Sequence, residues 1–207
     1  MDTIQGLIDS ALKNKQEERS NREGSHKISP SGFGGCFRKQ YWSRKGEAPS
    51  NPPDERTLRV FQAGNLFEDF VSDLIPNHQK QVLIETEDIK GYADVVTEDS
   101  VIDLKSVHSR QFFHTKKESY DVNVEKRHNI LQVMTYVYLL GKTWGKLVFI
   151  SKDDLCIDEY GFHIDKWIME VQKEIGLNRN NWLYPNPPPA EPRLFISKKE
   201  PRRECSY

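Results

Sequence analysis

Apolar residues recur at helical spacing over residues 2–19, where Ile4, Leu7, Ile8, Ala11 and Leu12 share one side. The stretch "EGSHKISPSGFGG" interrupts that rhythm with Gly, Ser and Pro. A short helix is predicted to start over Cys36–Tyr41, and "EAPSNPPDE" reads as a loop. Residues 55–75 return to helical spacing with Leu58, Phe61, Leu66, Phe67, Phe70, Val71 and Leu74. After "PNHQK" the pattern changes to strands: "QVLIETE", "GYADVVT", "SVIDLKSV", "KLVFIS" and "LCIDEYGFHI", with "TEDS" turning between the second and third. A helix over Val124–Leu140 separates the third strand from the fourth. "DKWIMEVQKEIGLN" forms a last helix, and "YPNPPPAEPR" begins an extended tail. No internal repeat is evident. The order is helix, three strands in a meander, helix, two strands, helix. That is a mixed α/β domain behind a helical N-terminal region.

Composition narrows the classes. A chain of 207 residues with 36% hydrophobic and 11% aromatic residues can build one core with an appended subdomain. The net charge of -1 supplies no global basic field. Cations nevertheless crowd the stretch from Lys13 to Lys45, and the tail adds Arg193, Lys198, Lys199, Arg202 and Arg203. Such runs could follow a phosphate backbone or simply be solvated surface. No apolar run approaches the roughly 18 residues of a membrane span. The N-terminus lacks the basic and apolar regions of a signal peptide. Three widely spaced cysteines make no secreted disulfide framework. The expectation is an intracellular protein without a membrane partner.

The segment "GYADVVTEDSVIDLKS" (Gly91–Ser106) carries the chemistry. Side chains alternate along a strand, so Tyr92, Asp94 and Val96 share one face of the first arm and Val101, Asp103 and Lys105 one face of the second. Asp94 and Asp103 then meet if the register allows, with Lys105 beside them. Two close carboxylates repel unless a cation stands between them. A hard divalent ion such as Mg²⁺ takes such oxygen ligands. On spacing alone an exposed Asp103–Lys105 ion pair on a surface hairpin, worth at most about 1 kcal/mol, fits as well.

Gly91-Tyr-Ala-Asp94 followed by Ile102-Asp103-Leu-Lys105 resembles the G-x-x-D…(D/E)-x-K signature of the PD-(D/E)xK nuclease superfamily. In "HNILQVMTYVYLLG", Gln132 and Tyr136 match the Q-x-x-x-Y motif of its RecB-like branch. At i and i+4 they share a helical face with Asn129 and Glu125 behind them, and Ile130, Met134 and Val137 occupy another. The resemblance implies a restriction-endonuclease-like mixed central sheet flanked by helices. It divides the chain into a helical region over 1–54, a nuclease core over 55–184 and an extended basic tail over 185–207. It further implies a metal-binding acid on the preceding helix, where Gly64 is followed by Glu68, with Asp69 a close rival.

Asp94, Asp103, the Leu104 carbonyl and Glu68 would then hold Mg²⁺ or Mn²⁺. Lys105 would position a water or balance charge, and Gln132 and Tyr136 would steady the site. The activity implied is metal-dependent phosphodiester hydrolysis of DNA, as an exonuclease favouring single-stranded ends. Its settings would be phage replication or recombination, repair or CRISPR adaptation, in the cytoplasm of a bacterial, archaeal or phage-infected cell. A complex-forming or nucleic-acid-binding module that no longer cleaves is the alternative, alone, as a homo-oligomer or in a larger assembly. A nuclease of the same superfamily that cleaves tRNA or other RNA is a third.

"SPSGFGGCFRKQYW" resembles the N-terminal cysteine segment of the CRISPR-associated four-cysteine exonucleases, which hold an iron–sulfur cluster. Cys36 and Cys205 match two of the four thiolates that a [4Fe-4S] cluster usually needs, so each could equally be a free thiol. Cys156, inside a predicted strand, reads as a small core residue. Arg38, Lys39, Tyr41 and Trp42 could hold a single strand by charge and stacking, or could pack the N-terminal region onto the core.

Overall fold

A computed structural model describes residues 3–20, 26–49, 52–183 and 185–189. Its elements follow the hydrophobic rhythm. They are α1 (Ile4–Ser20), α2 (Phe37–Lys45), α3 (Glu55–Asp73), β1 (Gln79–Glu85), β2 (Lys90–Val96), β3 (Ser100–Val107), α4 (Ser109–Thr115), α5 (Val122–Glu125), α6 (Arg127–Leu140), β4 (Trp144–Ser151), β5 (Ile157–His163) and α7 (Ile168–Leu183). The strands form one sheet in the order β1-β2-β3-β4-β5. The first three make an antiparallel meander. β4 runs parallel to β3, which the α4–α6 crossover permits, and β5 returns antiparallel.

Each face of the sheet carries a helix. Ile130, Val133, Met134, Tyr136 and Val137 of α6 bury against Ala93, Val101, Leu147 and Phe149. Met134 comes so close to β4 that a side chain at Gly145 would begin 2.4 Å from its Sδ. Val133, Met134 and Val137 are fully buried, and each is worth roughly 1.5–3 kcal/mol relative to exposure. On the opposite face Val71 of α3 packs on Val95, Ile102, Leu104, Val148 and Ile150. Asp54 starts α3 by accepting the Thr57 backbone N–H at 2.8 Å, which satisfies one orphan donor of the first turn.

Several sequence expectations need correction. The predicted helix over 124–140 is two helices, broken at Lys126, which takes φ -125° and ψ 23°. Glu125 therefore lies in α5 and does not continue the Gln132–Tyr136 face. The α4 helix escaped the pattern because its seven residues are too few for a periodic signal. α1 forms as expected, yet Ile4, Leu7 and Ile8 remain exposed. Of the apolar set only Leu12 is half-buried, beside Leu58 and Phe61 of α3, and the two helices are further tied through Asp9–Arg59 and through Lys13–Glu55 at 2.6 Å. Cys156 is exposed in the turn before β5, outside the core that was expected to hold it. Among the described residues no helix is long and apolar enough to cross a membrane.

Candidate metal and nucleic-acid site

The site begins with a defect in the sheet. β2 and β3 pair through only two residue pairs, Val96↔Val101 and Val95↔Ile102. One step further the same register would set Asp94 opposite Asp103, and there the ladder opens. The Leu104 N–H donates to Asp94 Oδ2 at 3.1 Å, so a carboxylate takes the place of a backbone carbonyl. On the other side of β2 the β1 ladder also skips a pair, between Lys80↔Val95 and Val82↔Ala93. Gln81, which would oppose Asp94, takes φ +48°, an uncommon conformation for a residue with a side chain.

β2 turns over at this point. Ala93 packs on the α6 side and Val95 on the α3 side, whereas a regular strand would send both to one face. The expected sharing of one face by Tyr92, Asp94 and Val96 is corrected accordingly. Tyr92 is exposed and Val96 buried in the α6-side core. Local ladder irregularity of this kind re-aims side chains next to active sites.

In β3 the alternation holds. Val101 and Val107 reach the α6 side, Ile102 and Leu104 the α3 side, and Asp103 follows Val101's face. Asp103 is only 3% exposed. Its Oδ1 accepts from Lys105 Nζ at 2.9 Å, while its Oδ2 is buried with no hydrogen-bond partner. Burial raises the Asp103 pKa to about 6 against the pull of Lys105, and the neighbouring Asp94 carboxylate adds to the rise. Burial also opposes the charge on Lys105, but Asp103, Asp94 and Glu68 outweigh it and hold the ammonium pKa above its ordinary value.

Glu68 joins the cluster from α3. Gly64, one turn earlier, lies where an added Cβ would stand 3.7 Å from Ser106 Oγ, so the helix sits close along β3. Desolvation, then the Asp94 charge, raise the Glu68 carboxyl to about 7. Asp69 points elsewhere: its side chain is 65% exposed and stands 3.7 Å from Lys80. Of the two rival acids, α3 turns Glu68 toward the hairpin.

Tyr136 locks the hairpin from the α6 side. A Cβ on Gly91 would stand 2.5 Å from the Tyr136 hydroxyl, so the two motif positions occupy one space. Gln132 stands one turn earlier on the same helix. The Tyr136 pKa is raised, by burial first and by Asp103 and Asp94 after it.

Among the described residues no three His, Cys, Asp or Glu side chains already stand as a finished metal cage. The donor set nevertheless fits a hard cation. It offers carboxylate oxygens, one of them buried without a partner, on acids whose pKa values are raised by burial first and by neighbouring carboxylates after it.

The N-terminal candidates divide. Tyr41 is 5% exposed, donates its hydroxyl to the Pro185 carbonyl at 3.0 Å and packs near Trp182. It is a packing residue of α2 against α7 and has no face left for a base. Trp42 stands edge-on to Tyr41 at 5.3 Å and is half-buried, as is Arg38. Lys39 is exposed and, with Cys36, lines a cavity of about 620 Å³ that extends to His128. Cys36 precedes α2 and Cys205 lies outside the described residues, so the iron–sulfur reading gains no support. The pattern gave no signal for Lys126, which comes near the Lys105 corner of the site through the α5–α6 break, or for His128 two residues on, which borders the cavity at Gly34 and Cys36.

No family model matches the sequence, and no curated protein does. Solved structures do match. The chain is similar to the alkaline exonuclease LHK-Exo from Laribacter hongkongensis, with a TM-score of 0.56 and 15% identity over 80% of this chain and 92% of that one. The same exonuclease in complex with dAMP gives a TM-score of 0.51 and 16% identity, with coverage of 80% and 92%. The five-stranded mixed sheet with its flanking helices is thus the α/β fold that these exonuclease structures share.

Proposed function

We propose that this chain is a metal-dependent nuclease that hydrolyses DNA phosphodiester bonds, working as an exonuclease on single-stranded ends. The observation that carries the reading is the opening of the β2–β3 ladder, which gathers Asp94, Asp103 and Lys105 opposite Glu68 around a buried, partnerless carboxylate oxygen. A structural hairpin has no use for that arrangement, because leaving a buried polar group unpaired costs about 1–3 kcal/mol. The fold shared with an alkaline exonuclease, which has also been seen with dAMP, supports the same class of substrate.

Asp94, Asp103, Glu68 and the Leu104 carbonyl would hold Mg²⁺ or Mn²⁺. When bound, such an ion supplies Lewis-acid neutralisation of the phosphate charge and makes a water more acidic. Asp103 fixes the Lys105 ammonium at the same point, where it can orient a water or meet charge developing on the phosphate. The Leu104 N–H holds Asp94 in place. Tyr136, seated on Gly91, keeps β2 from sliding and so preserves the spacing of the two aspartates. Phage replication or recombination, DNA repair or CRISPR adaptation would be its setting.

The test is cleavage of end-labelled single- and double-stranded DNA with Mg²⁺, Mn²⁺ or EDTA, using the wild type, Asp103→Ala and Lys105→Ala. Metal-dependent degradation reduced by about 10²-fold or more in both variants is expected. A wild type that binds DNA with every metal but never cleaves would replace this reading with that of a binding module.

A further inference from the structure

The geometry points to Lys126, with His128 beside it, as a phosphate-binding pair that holds the nucleic-acid strand next to the bond being hydrolysed. The inference rests on the nuclease reading and adds to it a group outside the acidic cluster.

The break between α5 and α6 decides where Lys126 stands. Its backbone N–H closes α5 on the Val122 carbonyl at 3.0 Å, and its own carbonyl opens α6 by accepting from Ile130 at 3.0 Å. The kinked residue sends its ammonium to 5.7 Å from the centre of the Phe149 ring. Phe149 is 1% exposed and is the β4 ladder partner of Lys105 in β3. Partners on adjacent strands project to the same side about 4.8 Å apart. Lys126 therefore overhangs the corner from which Lys105 reaches Asp103.

His128 lies two residues on, exposed, at the start of α6. The loop at Gly34 closes on it so tightly that an added Cβ would stand 3.2 Å from the His128 Cα.

The Lys126 ammonium lacks a counter-charge, and His128, whose pKa is lowered, stands nearby as a neutral N–H donor. Among the described residues, neither Lys126 nor His128 makes an ion pair with a carboxylate. The acids nearest Lys105, namely Asp103, Asp94 and Glu68, are already engaged with it. Burial lowers the Lys126 pKa, with Glu125 opposing and Lys105 reinforcing the fall. Burial, Lys126 and Lys105 lower that of His128 in turn. The two ammonium groups at this corner repel one another, and an anion placed between them removes that repulsion while accepting from the neutral His128 ring. A nucleic-acid strand lying across the acidic cluster brings phosphates on either side of the reacting one, and the α6 side is where Lys126 and His128 wait. Since neither residue is placed on the reacting phosphate, their loss weakens strand binding and leaves turnover alone.

The experiment uses the full chain with Lys126→Ala, Lys126→Arg and His128→Gln. Two substrates are compared under Mn²⁺: a single-stranded oligonucleotide and bis(p-nitrophenyl) phosphate, which has no flanking phosphate. For Lys126→Ala the oligonucleotide KM should rise about tenfold with kcat within about twofold. The slope of log affinity against log salt should fall by about 0.7, the value for one lost contact to a single strand. Lys126→Arg should restore both, and His128→Gln should show a smaller change of the same kind. Hydrolysis of the small diester should not change.

An unchanged KM and salt slope in Lys126→Ala, or an equal loss on both substrates, overturns the inference while the nuclease reading stands. A wild type inactive on both substrates overturns the nuclease reading, and the salt slope of oligonucleotide binding in EDTA then decides the Lys126 contact alone.

Discussion

Replacing Glu68 by glutamine removes one acid from the cluster at constant volume and yields a prediction whose sign depends on pH. Burial and the Asp94 charge raise the Glu68 carboxyl from 4.5 to about 7. Between about pH 4.5 and 7 the native chain then holds a proton at Glu68 that the unfolded chain has released. Stability falls with rising pH wherever the native state binds more protons, so the penalty is absent below pH 4.5 and complete above pH 7. A rise of this size corresponds to roughly 3 kcal/mol at 1.36 kcal/mol per pH unit. The side chain is half-buried, and solvent screening reduces the figure to about 1–2 kcal/mol.

A glutamine amide carries no charge and escapes the penalty. In EDTA at pH 8, Glu68→Gln should therefore melt about 2–8 °C above the wild type, at 2–4 °C per kcal/mol for a chain of this size. At pH 5 the difference should nearly vanish, because the wild-type carboxyl is protonated. Excess Mn²⁺ at pH 8 should reverse the order, since a bound ion stabilises whichever native state holds it more tightly. Differential scanning fluorimetry at the two pH values, with and without the ion, is sufficient. The same melting difference at pH 5 and pH 8, or a variant less stable than wild type in EDTA at pH 8, would refute the placement of Glu68 in the cluster.

Two further outcomes are expected. Gly91→Ala forces its Cβ onto the Tyr136 hydroxyl, 2.5 Å away. It should cost about 1–3 kcal/mol, as overpacking does. Tyr136→Phe in the same chain should recover part of that loss in a double-mutant cycle, because it removes the nearest clashing atom. Tyr41→Phe forfeits the bond to the Pro185 carbonyl and should lower stability by about 0.5–1.5 kcal/mol. Its affinity for single-stranded DNA should match the wild type, and a drop in affinity at unchanged stability would return Tyr41 to the nucleic-acid surface.

How much of this was legible in the chain depends on which residues interact within a local segment. The strand-like runs placed the five strands to within a few residues, because alternate burial marks the edge strands β1 and β5 and continuous apolar runs mark the buried β3 and β4. The alternation around Asp103 and Lys105 survives in the fold, and so does the i, i+4 relation of Gln132 and Tyr136, since both follow from regular backbone geometry. The short α4 and the break at Lys126 left too few residues for a period to register.

Tertiary structure alone decided the rest. Composition could not separate Glu68 from Asp69, which are adjacent in sequence but point in different directions from α3. Nothing in "GYADVVT" announces that β2 turns over at Asp94. That turn requires β1 to skip a pair at Gln81 and β3 to part from β2 beyond Val95, and each of these is a contact between distant segments. Tyr41 looked equally suited to stacking a base or filling a core until α7 arrived beside it. The local chain specifies which side chains alternate and which repeat with a helical turn. Which of them end up sharing one buried point is set by how the strands and helices pack, and there the site's charge and unpaired oxygen arise.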